Sequence, residues 1–209
     1  MDTLEPGPDP VDVAEIDEAP DSLPDLPTDA QAEHQLETEL QISMAADSLA
    51  NIPELGDEAW GSLDAAQRLG VLQNIENTMA GIQNREPVAI QAEPMEPGVF
   101  GGFNPNTRGI QLNEAYLTGD DVPPSEHLNT IVHEGRHAFQ AAAIQDPALV
   151  TDPAVVADWA ENDKKYLSPD LVGQEMYEAQ PLEQDAFDYA NRVVNMMIAG
   201  QLGPVENQT

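Results

Sequence analysis

The stretch Thr130-Ile131-Val132-His133-Glu134-Gly135-Arg136-His137-Ala138-Phe139 sets two histidines four positions apart inside a run rich in apolar residues. On an α-helix, residues i and i+4 stack one above the other on a single face. Both imidazoles can then reach one metal ion, and Zn2+ accepts such nitrogens at about 2.0–2.1 Å. Glu134 lies about 100° around the helix from His133. That puts its carboxylate beside the metal, where it can take a proton from a water as a general base. Leu128, Ile131, Val132 and Phe139 predict an element embedded in a core. The competing reading is a solvated surface helix in which Glu134 and His137 form an i,i+3 pair. The chain has four histidines, and chance occurrence of this pattern is expected on the order of 0.01 times.

A hydrolytic zinc site has three protein ligands and one open position. Glu178, Glu183 and Asp185 are the candidate third ligands. From Glu183 onward, Leu182, Ala186, Tyr189, Val193 and Met197 mark the apolar face of a long helix. Pro181 separates Glu178 from that helix. Asp185 lies about 200° around it from Glu183, so the two carboxylates cannot face one metal together. Ala186 and Ala190 share the Glu183 face and allow close helix packing, which favours Glu183. Read alone, Glu183 and Asp185 are first-turn acids complementing the helix dipole.

HEGRH followed by Glu-x-x-Ala-x-x-Tyr-Ala at 183–190 resembles the gluzincin-type zincin metallopeptidases, particularly the compact ImmA/IrrE-like group. That group's second motif is Glu-x-x-Ala-Asn-x-Phe-Ala, and Phe187 stands where it commonly carries Asn. The wording HEGRHAFQ looks more like small zincin domains of bacterial secreted effectors and polymorphic toxins. The resemblance covers residues 58–199, with its specificity in the two motifs. It implies a zincin-like fold, His133, His137 and Glu183 as zinc ligands, Glu134 as catalytic base, and hydrolysis of peptide bonds in a protein or peptide substrate. A regulatory protease of ImmA/IrrE type and a zinc-binding interaction domain without turnover are the alternatives it leaves open.

Peptide hydrolysis needs a donor for the tetrahedral oxyanion. Tyr177 is the first choice, with Tyr166 and Arg136 behind it. His127 precedes His133 by six residues and points about 240° away, as expected of a surface or cap residue rather than a ligand. His34 is assigned no role.

With 39 acidic residues against 7 basic ones, the formal charge is −32. Phosphate binding rests on clustered Lys and Arg, so nucleic acid and anionic membranes are excluded as direct partners. A cationic substrate or partner is allowed. Residues 1–30 hold ten acids and six prolines without Lys or Arg, which predicts a disordered acidic leader, available to an export-apparatus or immunity partner. The sequence lacks a signal-peptide pattern and an apolar run of membrane-spanning length. It has no cysteine, which leaves the compartment undecided.

The expected organisation is α+β and mostly helical. An amphipathic helix or linker occupies 31–57, its stripe read from Leu36, Leu40 and Met44, and a metallopeptidase domain follows over 58–200, with a flexible tail at 201–209. Within the domain, Ser62 opens a helix over 63–82. Val88-Ala89-Ile90 and Gly109–Asn113 are short strands, the second a candidate for pairing with an extended substrate. Ser125 caps the HExxH helix, which stops at Asp146-Pro147. Helices then run from Asp152-Pro153 to Lys165, from Pro169 to Ala179, and from Glu183 to Gly200.

Overall fold

Capping sets the start of the first described helix. Thr28 and Gln31 exchange side-chain and backbone hydrogen bonds in a capping box that starts α1 (Asp29–Leu49). The computed structural model describes residues 27–119 and 122–202. Most of the acidic leader and of the C-terminal tail, at 1–26 and 203–209, therefore lies outside the described residues.

The architecture is α+β and mostly helical. After α1 come α2 (Asp57–Gly61), α3 (Ala65–Ile82), β1 (Ala89–Glu93), β2 (Gly101–Asn104), β3 (Gly109–Asn113), α4 (Glu114–Thr118), α5 (Pro124–Gln145), α6 (Pro153–Asp163), α7 (Pro169–Val172), α8 (Gln174–Glu178) and α9 (Pro181–Leu202). α5 and α9 pack along each other, α1 lies against α9, and α3 lies against α5. Ile42, Ala45, Leu49, Leu72, Ile75, Leu128, Ile131, Val132, Ala190 and Val193 belong to one core. α1 is thus built into the same core as the HExxH helix.

Its rotation differs from the expected one. Leu36, Leu40 and Met44 are 71%, 60% and 47% exposed, whereas Gln41, Ile42, Ala45, Ala46 and Leu49 are buried. Residues spaced by four alone drift about 40° per step around a helix, while the buried set follows the i, i+3, i+4, i+7 pattern of a straight apolar face. Its two alanines also let α1 approach closely.

Two helix starts are corrected. Ser62 closes α2, and Asp64 opens α3 through its own capping box with Gln67. In α5, Pro123 is the N-cap and Ser125 sits within the first turn without a capping bond. Pro124 at the first helical position supplies a preset φ and has no N–H to satisfy. The expected helix from Pro169 to Ala179 is broken into α7 and α8 at Gly173, whose φ of 80° only glycine adopts readily.

The sheet order is β1-β3-β2, with β1 parallel and β2 antiparallel to β3. β3 is therefore paired on both edges, and the substrate-pairing role considered for 109–113 is ruled out for it. The edge strands are β1 and β2, and β2 packs on α5. A Cβ at Gly101 would meet the Gln111 carbonyl oxygen at 2.9 Å and Thr130 Cγ2 at 3.0 Å. Glycine there lets the strand lie directly on the helix.

His127 is buried rather than superficial, its ring 5.2 Å from that of Trp60. Burial, aided by the charge of Arg68, lowers its pKa to about 4. The side of α5 turned away from the metal site faces core, so pointing away from His133 does not mean pointing to water. Among the described residues no helix is long and apolar enough to cross a membrane.

Candidate metal centre

α5 delivers His133 and His137 to one side, and α9 crosses against it with Glu183 in its first turn. Ala186 and Ala190 are buried on the same helix, where their small side chains permit the close packing that brings the carboxylate in. The two Nε2 atoms stand 3.1 Å apart. Glu183 Oε2 is 3.4 Å from His133 Nε2, and Oε1 is 3.2 Å from His137 Nε2. A tetrahedral ion with bonds of about 2.0–2.1 Å sets its ligands about 3.3 Å apart. Each separation is close to an edge of that tetrahedron, the two imidazoles each facing a different oxygen of the Glu183 carboxylate.

The donors fit a cation chemically as well. Glu183 is fully buried, and its Oε2 has no hydrogen-bond partner, an expensive condition for a carboxylate oxygen unless a positive charge meets it. Burial opposes ionisation of Glu183, but the neighbouring His133 and His137 imidazoles outweigh it and hold the carboxyl well below its ordinary range. Burial likewise opposes protonation of His137. Hydrogen bonding to Glu183 and the charges of Glu134 and Glu183 prevail and raise its pKa to about 9.

Among the described residues these three form the one cluster able to hold a metal ion. Glu178 is exposed and accepts from the Gln174 amide. Asp185 turns to the other side of α9, where it accepts two hydrogen bonds from Arg136 at 2.8 and 2.9 Å. Arg136 is fully buried in that pair and against the rings of Phe139, Trp159 and Tyr189. It is committed to the core, which removes it as an oxyanion donor.

Glu134 is buried beside the metal cluster, its Oε2 accepting the Phe103 backbone N–H at 2.7 Å. It borders a cavity of about 380 Å³ that is also lined by Gly101, Phe103, His137, Tyr166 and Tyr177. No family model, curated protein or solved structure matches the chain. The chemistry of the site is thus read from its own geometry.

Both tyrosines reach the cavity. The Tyr166 hydroxyl donates to Glu183 Oε1, and the Tyr177 hydroxyl lies 3.0 Å from that of Tyr166. Burial raises the pKa of each phenol, and the Glu183 charge adds to it, so both remain neutral donors. Tyr177 therefore stands one hydrogen bond further from Glu183 than Tyr166 does. Tyr166 follows α6 in a connection whose path no local pattern specifies. The Phe187 ring, one turn past Glu183, lies 4.4 Å from the His133 ring and backs it where the resembling group commonly carries Asn.

Proposed function

We propose that the protein is a zinc-dependent metallopeptidase hydrolysing a peptide bond of a protein substrate. The observation that carries this reading is the convergence of the His133, His137 and Glu183 side chains, whose contacts are 3.1, 3.4 and 3.2 Å, with the Glu134 carboxylate on the same cavity. Held by those three residues, Zn2+ would supply Lewis acidity toward a carbonyl and lower the pKa of a water toward 7.

The remaining steps belong to the chain's own side chains. Glu134 is tied through Oε2 to the Phe103 N–H, so a fixed carboxylate accepts the proton of the attacking water and returns it to the leaving amine. Tyr177 and Tyr166 can donate to the developing oxyanion. Substrate alignment falls to β2. The Phe100 carbonyl accepts from Asn113 N–H on the β3 side, while Phe103 N–H points away to Glu134. By strand alternation, Gly101 turns its N–H and carbonyl, and Phe103 its carbonyl, to the open edge, where an extended peptide can pair.

Elemental analysis tests the metal assignment. One zinc per chain is expected in the wild type, and loss of it in His133→Ala, His137→Ala and Glu183→Ala. Less than about 0.2 zinc per wild-type chain after zinc supplementation would remove the basis of the reading.

A further inference from the structure

Gln140 lies one helical turn beyond His137 and is buried. Its Oε1 stands 2.8 Å from His137 Nδ1. Its Nε2 donates to the Leu182 carbonyl at 2.9 Å and to Asp185 Oδ2 at 2.7 Å. A carbonyl and a carboxylate only accept, so turning the amide over would set its oxygen against two acceptors. Asp185 is itself immobilised by the two-pronged bond from Arg136, which has no access to solvent. The amide orientation is thereby settled by its partners, and what meets His137 Nδ1 is an acceptor. His133 offers a contrast within the same centre: its Nδ1 is buried without a partner.

We propose that Gln140 is a positioning residue of the metal centre. Its amide oxygen takes the Nδ1–H of His137 and turns Nε2 toward the metal, and Asp185 and Arg136 keep that amide from flipping. This rests on the metal reading given above. α9 then supplies the ligand Glu183 together with both groups that lock Gln140, Asp185 and the Leu182 carbonyl. The docking of one helix sets the third ligand and the orientation of the second at once. Outer partners of this kind orient an imidazole and raise its basicity, and their loss typically weakens metal binding 10–100-fold.

The test is zinc affinity by chelator competition in the wild type and in Gln140→Leu. Gln140→Leu removes the acceptor, and zinc binding is expected to weaken about 10–100-fold. A measurement on the unaltered protein stands beside this: nitrogen-correlated NMR of the zinc-loaded wild type should show the His137 Nδ1–H held in slow exchange. Full zinc binding by wild type with no loss in folded Gln140→Leu, or a rapidly exchanging Nδ1–H, overturns the proposal and leaves the metal centre intact. Absence of zinc from the wild type overturns both.

Discussion

Phe103 and Glu134 are joined by a 2.7 Å hydrogen bond from the backbone N–H of an edge strand to the second residue of HExxH. The bond couples the strand proposed to align substrate to the carboxylate proposed to move the proton. Phe103→Pro deletes the N–H while sparing the β3 ladder, since that N–H points to the open edge. Phe103→Ala keeps the N–H and removes only the ring. If the bond holds the base in place, kcat in the proline variant should fall about tenfold below the alanine variant, in keeping with a hydrogen bond to a charged group. Equal values in the two variants would show that Glu134 needs no such tether.

Zinc affinity should depend steeply on pH. The His137 pKa in the metal-free protein is about 9, against about 6.5 for an unperturbed imidazole. The folded value is the higher one. The stabilisation from protonated His137 is therefore fully present below pH 6.5 and is lost as pH rises through about 9. Zinc must displace that proton, so its apparent affinity should rise about tenfold per pH unit between 6.5 and 9 and then level off. Competition against a chelator of known pH dependence checks the slope; a flat profile contradicts the raised His137 pKa.

Gly135, between the two halves of the motif, is expected to resist replacement. A Cβ there would stand 3.0 Å from Glu76 Oε2 and 3.3 Å from Arg85 Nη2. Those two groups form a buried ion pair, and Arg85 also donates to the Gly135 carbonyl at 3.0 Å. Alanine gains about 1 kcal/mol of helix propensity over glycine. Crowding a buried, doubly anchored pair costs about 1–3 kcal/mol, so Gly135→Ala should lower stability by about 1 kcal/mol in denaturant unfolding of the metal-free protein. A more stable variant would mean that the ion pair yields without loss.

The parts of this site that were legible in sequence are those fixed by helix geometry. The spacing of His133 and His137 dictates a shared face, and Glu183 was separable from Asp185 by its angle around one helix and by the alanines beside it. What lay hidden depends on tertiary pairing. Gly101-Gly102-Phe103-Asn104 carries no alternating pattern and becomes a strand through its pairing with β3. The burial of His127 and the rotation of α1 follow from which faces the neighbouring helices cover. The approach of Tyr166 to Glu183 across the connection after α6 has no local signal at all. Gln140 gives no signal in the sequence, because its role comes from Asp185 and Leu182, more than forty residues away.

The central claim is that Glu134 acts as the base of a zinc-dependent peptide hydrolysis at this cavity. Its most direct test is mass-spectrometric detection of new peptide termini in a protein mixture incubated with zinc-loaded wild type or with zinc-loaded Glu134→Gln. Loss of a general base costs about 10²–10⁴ in rate. A defined set of new termini is expected from wild type and their near absence from Glu134→Gln, with the same zinc content in both. An equal set of products from the two proteins, or none from either, would contradict it.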